Sequence, residues 1–176
     1  RQSVDILDVG LARHIEVERK LCEGLPWIDA DRSQIEQILL NLFINGIEAM
    51  GETGTLSIST RFIRGDLDPE DLPPDAPSGD YCVLEVRDTG CGMTPEVAAR
   101  IFDPFFTTKR TGNGLGLSSV FGILRRHNAH IRVDTQPRRG TCFILYFPAI
   151  DENRRMLDAN PRSQARGGTE TILIDC

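Results

Sequence analysis

The sequence predicts a mixed fold of α-helices and β-strands, and a few segments of the chain carry that prediction. A long apolar segment with helical spacing covers residues 34–50 of the 176-residue chain. Segments with the two-residue alternation of β-strands follow at residues 55–63 and 81–87. A second helical pattern covers residues 118–126. Helices and strands that alternate along a chain indicate an α/β class, and the length suits one domain with a sizeable core plus tails.

Turn and cap signals place the remaining elements. Asp31 or Ser33 is a candidate N-cap for the long helix. Residues 65–80 are rich in Pro, Asp and Gly, which predicts an exposed hairpin loop. The acidic run at residues 66–71 within it suits a solvated loop better than a metal site. A first strand and a final antiparallel pair are predicted at residues 15–21, 131–135 and 141–147.

The long helix carries a polar stripe. Within ILLNLFINGIEAM, residues 38–50, the polar side chains Asn41, Asn45 and Glu48 fall at i, i+4 and i+7 on one face. We expect this helix to be buried nearly all the way round, where an amide or carboxylate is costly unless something satisfies it. An internal hydrogen-bond network and a bound ligand or metal are the two open explanations. Because Asn45 offers a carbonyl oxygen and Glu48 can hold a metal-bound water, Mg²⁺ is the ion that suits the stripe.

Two glycine clusters lie downstream of the long helix. The first, DTGCGM at residues 88–93, follows a predicted strand. A carboxylate there can accept from an exocyclic amine such as that of adenine, while the glycines allow the backbone to approach a ligand closely. The second, GNGLGL at residues 112–117, opens a predicted helix, and backbone amides at the positive end of a helix bind phosphate. Taken alone, each cluster is weak evidence, since most such glycine strings are only turns.

In order and spacing, these segments resemble the ATP-binding domain of sensor histidine kinases. That domain is a branch of the superfamily shared with gyrase, mismatch-repair ATPases and the ninety-kilodalton heat-shock chaperones. The matching motifs are the asparagine box, the first glycine box, the phenylalanine box, the second glycine box and the closing strand signature, at residues 41–45, 88–92, 102–106, 112–117 and 140–143. Mild departures from the family pattern stand at Gly46, Asn113 and residues 128–129.

The resemblance implies a fold, cofactors and a set of site residues. The fold is a two-layer α/β sandwich (Bergerat or GHKL fold), with a mixed, mainly antiparallel sheet packed against helices and an ATP lid at residues 107–112. The implied cofactors are ATP and Mg²⁺, with Asn45 as a metal ligand and Glu48 as a ligand through water. Asn41, Asn45 and Lys109 are the implied catalytic residues. The implied nucleotide-binding residues are Asn45, Glu48, Asp88, Gly90, Gly92, Met93, Phe102, Thr107, Thr108, Lys109, Gly112, Gly114, Leu115, Gly116, Leu117 and Thr141.

Asn41 bears on the use of the ATP. In the ATPase branches of the superfamily this position is a glutamate that activates water, whereas an amide has no useful basicity. The resemblance therefore implies a histidine protein kinase domain that hydrolyses ATP slowly and transfers the γ-phosphoryl group to a histidine on a separate dimerisation domain. The three histidines, His14, His127 and His130, stand in no acceptor context, so none is expected to be phosphorylated. The alternative is a pseudokinase, a nucleotide-binding module without transfer that regulates a partner.

The chain divides into three predicted regions. Residues 1–13 are the remnant of an upstream linker or helix, and residues 14–149 form the histidine kinase catalytic domain. Residues 150–176 are a polar linker and, from Thr169, the opening strand of a response-regulator receiver domain, or else a disordered tail. The expected partners are the dimerisation domain of the same kinase, which bears the acceptor histidine, and a receiver domain.

Composition excludes some partners and compartments. A formal charge of −6 and a pI near 5.1 leave no basic stripe for nucleic acid. The sequence has no apolar run long enough to span a membrane and no signal peptide. We therefore expect a soluble, cytoplasmic segment without direct membrane contact, in a parent kinase that other segments could anchor. The five cysteines lack metal-type spacing, which predicts reduced thiols.

Overall fold

The structure is a computed structural model that describes residues 14–65, 72–73, 76–109, 112–150 and 171–172. The strands are β1 (Ile15–Lys20), β2 (Ile28–Asp29), β3 (Gly54–Ile63), β4 (Tyr81–Asp88), β5 (His130–Thr135), β6 (Thr141–Pro148) and β7 (Thr171–Ile172). The helices are α1 (Arg32–Met50), α2 (Pro95–Ala98) and α3 (Gly116–Arg126). The region predicted at residues 1–13 and the acidic run at residues 66–71 lie outside the described residues.

A five-stranded sheet in the order β1-β3-β4-β6-β5 forms one layer. β1 runs parallel to β3, and the other neighbouring pairs are antiparallel. α1 packs on β3 and β4, α3 packs on β5, and the two helices contact each other, so the helices form the second layer. The predicted two-layer sandwich with a mixed, mainly antiparallel sheet is confirmed.

Local signals explain where α1 begins and ends. Asp31 is its N-cap, and its side chain accepts hydrogen bonds from the backbone amides of Ser33 and Gln34. Gly51 ends the helix with a φ of 73°, a conformation that costs glycine little. His127, at the end of α3, accepts a hydrogen bond from the backbone amide of Asp31 at 3.0 Å, which ties the start of α1 to α3. Of the two predicted caps, Asp31 is the one that the structure uses.

The expectation that α1 is buried nearly all the way round is wrong. Its buried residues form one stripe: Ile38, Leu42, Phe43 and Gly46. Leu40 and Ile44, on another face, are 41% and 45% exposed. The sheet and α3 cover only the stripe that faces them, so an apolar sequence does not make every face of this helix internal.

The core lies between the sheet and the helices, and a smaller cluster lies on the other face of the sheet. Leu56, Ile58 and Thr60 of β3 are buried toward the helices, as their alternation predicts. At one end of the sheet, Leu72 and Ala76 of the β3–β4 hairpin pack onto the opposite face and cover it from solvent. The buried residues there are Ile63, Tyr81, Val83, Cys142, Ile144 and Tyr146.

The short strands β2 and β7 form a separate antiparallel pair, with Ile28 opposite Ile172. The strand predicted from Thr169 is described only at Thr171–Ile172, where it pairs with β2. Whether a receiver domain starts here stays a prediction.

Two of the cysteine thiols are buried in the fold. Burial raises the pKa of the Cys82 thiol to about 12 and that of Cys142 to about 11, so both stay protonated and unreactive.

No helix within the described ranges is long and apolar enough to cross a membrane.

Candidate nucleotide and metal site

Helix α1 brings together two regions that are distant in sequence. A Cβ placed on Gly46 would lie 3.2 Å from the Cβ of Asp88, at the end of β4. A Cβ placed on Gly116, at the start of α3, would lie 3.8 Å from the side chains of both Asn41 and Asn45. The carboxylate that ends β4 and the glycine turn that opens α3 therefore lie along the polar stripe of α1.

Asp88 supplies a buried carboxylate at one end of the site. The residue is only 5% exposed, and its Oδ1 accepts from the backbone amides of Gly90 at 2.8 Å and Thr141 at 3.3 Å. Burial raises the pKa of this carboxyl, and those two backbone donors and the charge of Arg87 partly offset the rise. Within the described ranges no donor is bonded to Oδ2, which leaves that oxygen for an external amine.

The first glycine loop is pressed against its neighbours on both sides. A Cβ on Gly90 would lie 2.7 Å from the carbonyl carbon of Ala49 in α1, and the Cys91 amide donates to the Ala49 carbonyl at 3.1 Å. Gly92 has a φ of +62°, and a Cβ there would lie 1.9 Å from the carbonyl oxygen of Gln136. Both positions require glycine because the β5–β6 turn and α1 clamp the loop.

Thr135 positions this loop, and the sequence reasoning missed it. Its hydroxyl oxygen accepts from the Met93 amide at 3.0 Å and donates to the Gly140 carbonyl at 3.1 Å. The hydroxyl of Thr141, its partner across the β5–β6 hairpin, lies 3.1 Å away. A threonine that ends one predicted strand opposite Thr141 on the next was the signal available in the sequence.

Asn45 and Glu48 hold a cation. The Lys109 ammonium donates to Oδ1 of Asn45 at 2.9 Å and contacts the carboxylate of Glu48. An amide oxygen and a carboxylate that converge on a positive charge are donor types that Mg²⁺ prefers. The residues present therefore fit the Mg²⁺ that the resemblance implies. The contact is also a hydrogen-bond network within the protein, so both explanations of the stripe stay open.

The start of α3 leaves its backbone amides available to an anion. Leu115 stands at the N-cap position and makes no capping bond with its side chain. Gly114, with a φ of +67°, turns the chain into the helix, and its carbonyl accepts from the Phe105 amide at 3.0 Å. The first amides of a helix without a capping side chain favour a phosphate group.

Aromatic residues anchor the lid at its base. Phe102 stacks on Phe121 of α3 with ring centroids 5.3 Å apart, and the Arg100 guanidinium lies 4.4 Å from the centroid of Phe106. Phe105, which lies between these two aromatic residues in the phenylalanine box, is 74% exposed with a φ of +66°. It does not join this anchor because the turn that packs its backbone against Gly114 directs its side chain outward.

The lid itself is described at residues 107–109 and 112. The Lys109 amide donates to the Thr107 hydroxyl at 3.1 Å, which fixes the backbone beside the ammonium-bearing side chain. A Cβ on Gly112 would lie 2.7 Å from the same hydroxyl, so the two ends of the lid lie close together. Thr108 is exposed.

The predicted site residues thus fall into three groups. One surrounds the carboxylate: Asp88, Gly90, Gly92, Met93 and Thr141. A second group consists of the polar stripe itself and the residues that lie beside it: Asn41, Asn45, Glu48, Lys109 and Gly116. The third lies on or beneath the lid and at the start of α3: Phe102, Thr107, Thr108, Gly112, Gly114, Leu115 and Leu117. Their roles toward a nucleotide stay predictions.

Gly114→Ala is expected to destabilise the fold, whereas Gly116→Ala is expected to weaken nucleotide binding. In Gly114→Ala the Cβ would lie 2.4 Å from the Phe105 carbonyl carbon at a positive φ, so the free energy of unfolding should fall by about 1–3 kcal/mol. In Gly116→Ala the methyl meets only side chains at 3.8 Å, so the fold should persist while the phosphate space opposite Asn45 narrows. Thermal unfolding and calorimetry with Mg²⁺-ADP would separate these effects. An unchanged affinity in Gly116→Ala would place the phosphates elsewhere.

Comparison with known proteins agrees with this geometry. Residues 30–151 match the family described as histidine kinase-, DNA gyrase B- and HSP90-like ATPases. The chain is 39% identical over 171 residues to the sensor kinase CckA of Brucella abortus (strain 2308), covering 90% of this chain and 18% of that protein. It is 35% identical over 164 residues to the sensory histidine kinase/phosphatase NtrB of Azospirillum brasilense, and this match covers 90% of this chain and 39% of that protein.

A solved structure shows the same fold. The catalytic domain of the histidine kinase ThkA, in a nucleotide-free form, superposes with a TM-score of 0.59 at 31% identity. The match covers 77% of this chain and 79% of that one. The resemblance to the ATP-binding domain of sensor histidine kinases is therefore confirmed, and the chain belongs to the histidine kinase-, DNA gyrase B- and HSP90-like ATPase family.

Proposed function

We propose that the chain binds Mg²⁺-ATP along α1 and donates the γ-phosphoryl group to a histidine on the dimerisation domain of its parent kinase. The observation that carries the proposal is the Lys109 ammonium held by Asn45 and Glu48, opposite the uncapped start of α3. A cation site and an anion site that face each other suit a metal-bound polyphosphate.

The two ends of the site suit the two ends of ATP. Asp88 is buried beside Gly46 of α1, one residue from Asn45, so a ligand that reaches Asp88 also reaches the stripe. Its Oδ2 can accept from the exocyclic amine of adenine, whereas the corresponding carbonyl group of guanine offers no donor. Adenine at Asp88 and phosphates at the start of α3 give the nucleotide one orientation.

Transfer rather than hydrolysis follows from the groups near the phosphate space. The Asn41 side chain faces Gly116, and an amide cannot take a proton from water. Glu48, the carboxylate on the same stripe, would hold the metal through water in the proposed complex, which gives it a role other than general base. The γ-phosphoryl group should therefore be hydrolysed slowly and remain on the nucleotide until an acceptor histidine reaches it.

The partners follow from the relatives rather than from the chain. The chain spans 18% and 39% of the lengths of the Brucella and Azospirillum proteins, whose printed names are sensor kinase and sensory histidine kinase/phosphatase. We place the acceptor on a dimerisation domain of the same kinase, in the cytoplasm, and infer that a response-regulator receiver domain takes the phosphoryl group next.

The test is transfer in trans. Incubated alone with γ-labelled ATP, the chain should neither label itself nor turn over ATP quickly. Mixed with the dimerisation domain of its parent kinase, it should label that domain with an acid-labile, base-stable phosphate. The rate should rise with the concentration of either piece, because the linkage that normally makes the encounter intramolecular is missing.

A dimerisation domain whose acceptor histidine is replaced by glutamine is the control, and it should stay unlabelled. Nucleotide binding without labelling of a folded wild-type acceptor, across a wide concentration range, would favour the pseudokinase. Label on His14, His127 or His130 would contradict the assignment of the acceptor to another domain.

A further inference from the structure

The Lys109 ammonium lies against the two side chains that the proposed function assigns to the metal. It bonds Oδ1 of Asn45 at 2.9 Å and contacts the Glu48 carboxylate, across 64 and 61 residues of sequence. In the proposed function the same side chains serve Mg²⁺, Asn45 as a ligand and Glu48 through water. An ammonium and a divalent ion cannot share them, because both need the same lone pairs and two cations at contact distance repel.

We propose that Lys109 is a specificity-determining residue that admits metal only together with nucleotide. In the nucleotide-free protein its ammonium fills the metal position and excludes free divalent cations. When a metal–nucleotide complex binds, the ammonium would move to the phosphates, which would leave Asn45 free to hold the metal directly and Glu48 free to hold it through water. This inference rests on the proposed function, since it needs the phosphates to lie beside Asn45.

The contact between Lys109 and Glu48 contributes little to stability, so it can be exchanged for another at low cost. The Lys109 and Glu48 side chains are 38% and 51% exposed, and exposed ion pairs contribute little to folding because water screens them. The ammonium also has a short distance to travel, since the Asn45 side chain that holds it faces Gly116 at the phosphate-binding start of α3. The Lys109 backbone amide donates to the Thr107 hydroxyl, a contact that a movement of the side chain alone need not break.

Mn²⁺ titration of the nucleotide-free chain tests the proposal, with the free ion followed by electron paramagnetic resonance. Lys109→Met removes the charge and keeps most of the side-chain length. It should bind Mn²⁺ about three- to tenfold more tightly than the wild type, the range expected for losing one exposed pair and its residual repulsion. Lys20→Met is the matched control: this lysine is also exposed, lies 3.9 Å from Glu18 on β1, and should leave Mn²⁺ binding unchanged.

Two further measurements fix the mechanism. In a Glu48→Gln background the gain from Lys109→Met should shrink, because the exchange partner of the ammonium is weakened. With saturating ADP the order should reverse, because Lys109 now bonds the phosphates, so Lys109→Met should hold the Mn²⁺-ADP complex more weakly than the wild type.

The outcomes separate this inference from the proposed function. If Lys109→Met still binds nucleotide but takes up Mn²⁺ without nucleotide no more tightly than the wild type, Lys109 does not exclude free metal and the inference is overturned. If the folded wild type binds no nucleotide at all, the proposed function fails, and this inference fails with it.

Discussion

Asn45→Ala is expected to lower phosphoryl transfer by about two orders of magnitude or more, while much of the nucleotide affinity survives. The loss is of the size seen when one group that stabilises developing charge is removed. Asn45 supplies an amide oxygen to the contact with the cation, and alanine offers no such oxygen. The fold should persist, because alanine favours a helix interior and the Asn45 side chain is only partly buried.

Initial rates of labelling of a supplied dimerisation domain, with nucleotide calorimetry alongside, would measure the two effects of Asn45→Ala separately. Asn41→Ala is the comparison, and it should reduce transfer less, because Asn41 faces Gly116 without bonding the cation. If Asn45→Ala leaves transfer intact, the polar stripe is a structural network, which is one of the two explanations that the sequence left open.

Much of the fold could be predicted because local patterns decide it. The β3 alternation and the β5–β6 pair emerge within a residue or so of their predicted bounds, since side chains on a strand alternate between faces. The short helix α2 was not predicted although its signals were present: Thr94 caps it and Pro95 opens it. Four residues are too few for a periodicity to show.

Burial could not be predicted from the same patterns. Leu40 and Ile44 are as apolar as Ile38 and Leu42, yet only the latter pair faces the core. Likewise, nothing local indicates that Leu72 and Ala76 of a polar loop cover the outer face of the sheet. Which face is covered depends on elements distant in sequence, so hydrophobicity alone cannot determine it.

The site shows the same division. The motifs identified Asp88, Asn45 and Lys109, because a carboxylate, an amide oxygen and an ammonium can each bind a different part of a metal–nucleotide complex. They did not indicate that Lys109 contacts Glu48 or that Thr135 bonds the Met93 amide. Both contacts form between chain segments that only the folded topology brings together.

Asp88→Asn is expected to stabilise the empty domain. Because burial raises the folded-state pKa above its ordinary value of 3.8, the folded state binds the proton more tightly than the unfolded chain does. This contribution to stability is complete below pH 3.8 and is lost as the pH rises through the folded-state value. At neutral pH the buried charge is a cost, and asparagine removes it while its Oδ1 still accepts from Gly90 and Thr141. Thermal unfolding should show a higher Tm at neutral pH and a smaller gain in acid.

The same substitution should weaken nucleotide binding, because it replaces the acceptor oxygen that meets the adenine amine with an NH₂ group. A buried polar group left unpaired costs about 1–3 kcal/mol, which is a loss of affinity of about 5- to 150-fold. Wild-type affinity for Mg²⁺-ADP should also fall as the pH drops through the raised pKa of Asp88. Glu85→Gln is the control, since Glu85 pairs with Arg61 on the other face of the sheet and should not affect binding. A variant that gains stability and loses ADP affinity identifies Asp88 as a residue kept for its ligand at the expense of the fold. Equal wild-type affinities for ATP and GTP, or full affinity in Asp88→Asn, would show that adenine is recognised elsewhere.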